Sequence, residues 1–259
     1  MKNIVLLTLT VLLLLTGPAA AKVVTRPIAY NHGDVPLEGY LVYDDAVTKK
    51  MPGILVVHEW WGLNDYARSR AEKLAGLGYV AFALDMYGKG KSTEHPEQAG
   101  AWMKAINSNM DVWLKRAMAG LDVLKQQPQV DATRLAAIGY CFGGATVQVL
   151  AYGGADLKGV VSFHGSLIPV SSDQAGRTRA KILICHGALD PMNTSEAVAT
   201  YIAAMNTSSI DWQLIAYGGA RHSFTNPAAD KHGMAALAYS PSADRRSWQD
   251  MTLFFDELF

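Results

Sequence analysis

Short, nearly continuous apolar runs alternate along this chain with longer stretches whose apolar residues recur at helical spacing. The first kind is the pattern of strands buried on both faces, the second that of amphipathic helices. Ile54 to Val57, Tyr79 to Leu84, Leu135 to Ile138, Gly159 to Phe163 and Lys181 to His186 read as strands, and Trp212 to Tyr217 alternates as a last one. Ahead of them, Pro27, Asn31-His32-Gly33-Asp34 and the alternation from Leu37 to Tyr43 predict an antiparallel edge hairpin. Helices are predicted after a cap at Asn64 or Asp65 and closed by Gly76 and Gly78, over Asp111–Gln127, Ala145–Tyr152 and Ser195–Met205, and around Trp248, Met251, Phe254, Phe255 and Leu258. Between Lys89 and Asn109 the pattern loosens to a short helix about Trp102, Met103 and Ile106, suited to a small cap, and Ser171 to Ala180 reads as a loop. Strands alternating with helices in this way specify the α/β class: a mostly parallel sheet covered on both faces.

The start of the chain stands apart. A positive Met1-Lys2, an apolar run from Ile4 to Leu15 and small residues at Ala19-Ala20-Ala21 form the layout of a secretory signal peptide over residues 1–21. The competing reading is an uncleaved anchor, although the run is short for a membrane span. The remaining residues, 22–259, suit one domain working in the periplasm or secreted, with no stable membrane insertion after cleavage. Lysine plus arginine equals aspartate plus glutamate at 23 each, with no basic stripe, which argues against nucleic acid as a partner. A small molecule is the expected partner, and a monomer the expected form.

Chemistry concentrates at Gly139-Tyr140-Cys141-Phe142-Gly143-Gly144, which sits between an apolar strand and a helix. This is the setting of a nucleophile elbow, with Cys in place of Ser. The alternative is a buried cysteine in a glycine-rich turn. The second cysteine, Cys185, lies inside a strand, where pairing with a loop-tip thiol meets poor geometry, so Cys141 is expected to be free. Glu59, Asp190 and His222 also follow predicted strands. In an open α/β sheet, such positions gather beyond the carboxyl ends of the strands. A thiol attacking an acyl carbon needs a base, and the base needs an orienting carboxylate. Cys141, Asp190 and His222 occur in the order nucleophile, acid, histidine. Taken singly, His222 could be a loop histidine and Asp190 a helix cap. His58, His164 and His186 also end strands, but they lack a second ligand at metal spacing, and no metal or other cofactor is expected.

Together with His58-Glu59-Trp60-Trp61-Gly62-Leu63-Asn64, Asp85-Met86-Tyr87, Gly187-Ala188-Leu189-Asp190 and His222-Ser223-Phe224, these residues give a chain that resembles the dienelactone hydrolase family. The resemblance implies an α/β-hydrolase fold, Cys141 as nucleophile, His222 as base and Asp190 as its partner. It implies an oxyanion hole from the backbone N–H groups of Phe142 and Trp60, and a Glu59 that contacts the resting thiol until substrate displaces it. The other reading of Glu59 is a carboxylate paired with an arginine. Enzymes that open dienelactones grip the substrate carboxylate with two arginines, where this chain has Lys89 and Asn226. Trp61, Tyr87, Lys89, Ser223, Phe224 and Asn226 are the candidate substrate-pocket residues. The expected activity is cofactor-independent cleavage of an ester, thioester or lactone through an acyl-enzyme. The alternatives are a non-catalytic small-molecule-binding protein on the same fold and a redox thiol.

Overall fold

The computed structural model describes residues 23–259; the expected signal peptide lies outside them. The predicted hairpin is β1 (Val23–His32) and β2 (Val35–Asp44). It is followed by β3 (Met51–Val57), α1 (Asp65–Ala75), β4 (Val80–Leu84), α2 (Pro96–Asn107) and α3 (Met110–Lys125). Next come β5 (Val130–Tyr140), α4 (Phe142–Tyr152), β6 (Gly159–Phe163), α5 (Ser172–Arg177), β7 (Lys181–Gly187), α6 (Ser195–Asn206), β8 (Trp212–Tyr217) and α7 (Pro241–Leu258). Two elements exceed what periodicity predicts. The stretch expected to be loop holds α5, started by a capping box in which Ser171 and Gln174 satisfy each other's backbone N–H. A single 3-10 turn spans Ala229–His232, too short to leave a periodic signal.

All eight strands form one sheet in the order β1-β2-β4-β3-β5-β6-β7-β8, parallel from β4 to β8 and antiparallel at the β1–β2 edge. Successive side chains of a strand point to opposite faces, so β3 sends Leu55 and Val57 toward the side covered by α3 and α4, and Ile54 and Val56 toward the side of α1 and α7. Both faces are closed, which explains the continuous apolar runs.

After β3 the chain moves outward to β4, then returns to place β5 on the other side of β3. Such a reversal opens a crevice at the carboxyl ends of the strands. Here the crevice lies between the segment after β3, with Glu59 and Trp60, and the segment after β5, with Cys141. Helix α4 packs against these strand ends so closely that only glycine fits. A Cβ on Gly139 would stand 2.0 Å from the carbonyl oxygen of Gly143, and one on Gly143 would stand 2.2 Å from that of Val57. The glycines bracketing Cys141 are therefore a packing requirement that pins the elbow over the sheet.

Candidate active site

Cys141 ends β5 with φ 54° and ψ −114°, in backbone territory that non-glycine residues rarely occupy. Among the described residues, the other non-glycine positions with positive φ are His164 (42°) and Ser223 (55°), both at the same end of the sheet. The Cys141 amide is held from behind: it donates to the carbonyl of Phe163 at 3.0 Å and to His164 Nδ1 at 3.1 Å. That contact puts the lone pair of His164 on Nδ1 and its proton on Nε2, which lies 2.7 Å from Thr225 Oγ1. Burial, reinforced by the nearby charge of His222, holds His164 well below the usual histidine range, so it stays neutral. Its ring also meets the His222 ring edge to face, at 5.3 Å between centroids.

His222 is buried, and its Nδ1 lies 2.8 Å from Asp190 Oδ2. Asp190 is held in turn: its Oδ1 accepts from the Met192 amide and its Oδ2 from Asn193 Nδ2. The other nitrogen, His222 Nε2, is buried without a hydrogen-bond partner among the described residues, and His222 shares one cavity with Cys141. Burial pulls the proton affinity of His222 down, but the charges of Cys141 and Asp190 and the bond to Asp190 outweigh it and raise the pKa to about 10. Burial likewise works against an ionised Asp190, and the hydrogen bond and charge of His222 still bring its pKa below the usual value. The structure thus juxtaposes a thiol, an imidazole with a free nitrogen and an orienting carboxylate. Cys185, by contrast, is a buried free thiol whose pKa burial pushes up to about 12, an inert core residue.

Glu59 does not hydrogen-bond to the thiol. Its Oε1 accepts from Ser223 Oγ at 2.7 Å and its Oε2 from Asn226 Nδ2 at 2.6 Å. The alternative reading, a carboxylate paired with an arginine, is not met either, since both oxygens are taken by these two neutral side chains. Burial raises the Glu59 pKa, with the two hydrogen bonds opposing it. The amides of Trp60 and Phe142 donate to no group among the described residues, as expected at the tip of a turn and the first position of a helix.

A cavity of about 430 Å³ opens beside Cys141 and His222. None of the six expected pocket residues lines it. Trp61 is buried and stacked on His232 at 4.0 Å, and Phe224 is sealed in the core. Tyr87 packs against Phe142 and Trp102, outside the cavity. Lys89 reaches the opposite way, to an ion pair with Glu38 at 2.8 Å. Ser223 and Asn226 are committed to Glu59. Strand-end neighbours of functional residues point into the layers beneath, whereas the walls come from Trp60, Met103 on α2, Trp113 on α3, Ile168, Met192 and Leu237. The loose stretch around Trp102 and Met103 does contribute one wall. Trp60 belongs to the His58–Asn64 motif and, like Trp113, is an aromatic that sequence alone could offer as apolar pocket lining; the others carry no motif, and only their apolar character near cap and loop segments could have marked them. Two of the strand-end histidines serve the backbone: the Met86 amide donates to His58 Nε2, as Cys141 does to His164, whereas His186 Nδ1 is buried with no partner among the described residues.

A model of the dienelactone hydrolase family matches residues 37–259. The solved structure m3DLH is 46% identical, with a TM-score of 0.88 over 92% of this chain and 99% of that one. The dienelactone hydrolase-like promiscuous phosphotriesterase P91, from metagenomic libraries, is 39% identical, with a TM-score of 0.89 over 93% of this chain and all of that one (100%). A probable 2-oxo-3-(5-oxofuran-2-ylidene)propanoate lactonase of Bradyrhizobium sp is 27% identical, covering 89% of this chain and 95% of the relative.

Proposed function

The chain belongs to the dienelactone hydrolase family and is a carboxylic ester hydrolase; from that premise we propose that Cys141, His222 and Asp190 form its catalytic triad, acting on an ester, thioester or lactone. The observation that carries this reading is the buried 2.8 Å contact between His222 Nδ1 and Asp190, which leaves Nε2 free beside the elbow cysteine. His222 takes the thiol proton, and Sγ adds to the carbonyl carbon as its π electrons move to oxygen. The unengaged amides of Phe142 and Trp60 receive that oxyanion. The tetrahedral intermediate collapses, the C–O or C–S bond to the leaving group breaks, and His222 returns the proton to it. Water then attacks the thioester carbon while His222 takes its proton, the C–S bond to Cys141 breaks, and His222 returns that proton to Sγ. The raised proton affinity of His222 suits the first transfer, and Asp190 stabilises the imidazolium.

A burst assay with p-nitrophenyl acetate and butyrate tests this. Wild type should release one equivalent of nitrophenolate per site and then turn over steadily, with both phases absent in a folded Cys141→Ala variant. Equal turnover by that variant refutes the mechanism. A burst with no turnover would instead describe a thiol that captures acyl groups without releasing them, as a binding protein on this fold would.

A further inference from the structure

We infer that the group seated beside Cys141 is uncharged and apolar, so that the enzyme selects neutral esters and rejects those carrying a carboxylate there. This deepens the hydrolase reading and rests on it. The cavity is lined by buried Trp113, Phe142, Ala145 and Leu237 and by half-buried Trp60, Met103 and Ile168. Met110 and Met192, 51% and 47% exposed, stand at the mouth.

The one polar side-chain atom of the buried lining outside the triad is already used. Trp113 Nε1 donates to Thr146 Oγ1 at 2.8 Å, and its ring stacks on Phe142 at 5.6 Å. The non-triad polar residues of the lining, Asn107 and Ser166, are both neutral, and neither is buried. Among the described residues, no lysine or arginine lines the cavity. The nearest candidates by sequence are unavailable, since Lys89 is paired with Glu38 and Asn226 with Glu59. Away from His222, whose charge is matched by Asp190, a carboxylate entering this space exchanges its water for thioether, indole and aliphatic surface with no lysine or arginine to meet it, a transfer that is strongly unfavourable for an ion. An alkyl or aryl group gains from the same surfaces, and methionine side chains adapt to differing shapes.

The test compares matched substrates on both sides of the scissile bond. On the acyl side, 4-nitrophenyl hexanoate and methyl 4-nitrophenyl adipate are set against mono(4-nitrophenyl) adipate. On the leaving-group side, methyl 4-acetoxybenzoate is set against 4-acetoxybenzoate. On at least one side, kcat/KM should fall by about 100-fold or more with the carboxylate, as burial of an unpaired ion requires. Ile168→Arg, which supplies a cation to the wall, should narrow that gap at least about tenfold. Carboxylates accepted within about threefold of their neutral partners on both sides overturn the inference. If no ester is turned over, the hydrolase reading fails on its own, and the pocket is then read by protection of Cys141 from iodoacetamide. There hexanamide should protect and 6-amino-6-oxohexanoate should not, and equal protection by the two overturns the inference.

Discussion

Replacing His164 with alanine separates the support of the nucleophile from the nucleophile itself. The imidazole supplies one of two acceptors for the Cys141 amide, the other being the Phe163 carbonyl at 3.0 Å. Its loss removes about 1 kcal/mol of net hydrogen bonding. Deleting a buried ring wedged against Tyr140, His222 and Phe224 adds about 3 kcal/mol through the cavity left behind. In a chain of this size such a loss lowers Tm by roughly 8–16 °C. The activity effect has a separate origin. With one restraint gone, Cys141 can relax from φ 54°, carrying both Sγ and the neighbouring Phe142 amide away from their working positions. Misplacement on the order of 1 Å costs about 100-fold in rate, so kcat should fall roughly 10- to 100-fold with KM little changed. His164→Asn is the discriminating partner: asparagine tolerates the positive φ of 42°, and its Oδ1 takes the place of Nδ1 as acceptor. It should remain destabilised, having lost the ring and the link to Thr225, yet recover most of kcat. Burst kinetics and thermal unfolding on both variants decide the matter. An alanine variant with wild-type kcat, or an asparagine variant as slow as alanine, refutes the bracing role.

The triad itself makes two further predictions. In Asp190→Asn the Met192 amide holds the amide oxygen at the Oδ1 position, which turns the NH2 toward His222 Nδ1 and favours the wrong imidazole tautomer, so kcat should drop by about 10²–10⁴-fold while the fold persists; a loss under about threefold would remove Asp190 from the mechanism. Because the His222 pKa is raised from 6.5 to about 10, folding gains stability from its protonation that is complete below about pH 6.5 and disappears as pH climbs toward about 10. Unfolding free energies measured across that window should therefore decline more steeply for wild type than for His222→Gln, and parallel profiles would contradict the pairing.

Much of this protein was legible before its coordinates. The apolar runs mark both-face-buried strands because every strand from β4 to β8 lies between helical layers. Parallel strands end on one side of a sheet, so chemistry-bearing residues placed just after strands were bound to converge there, and Cys141, Asp190 and His222 did. The bracketing glycines were equally readable, and the structure supplies their reason in the 2.0 and 2.2 Å approaches that any Cβ would create.

What the tertiary structure alone decided is which side chains face the substrate and which face one another. Trp60 and Trp61 are neighbours in sequence, yet one lines the cavity and the other is turned away from it and stacked on His232. Asn226 occupies a position expected to touch substrate, but the fold turns it onto Glu59, and that contact exists only because residues 167 positions apart meet. The apolar walls are assembled from α2, α3 and the segments after β3, β6, β7 and β8, which share no single motif and no common period. Periodicity reports which face of an element is buried and motifs report local backbone geometry. A pocket is the space left between elements, so its lining is a property of their packing.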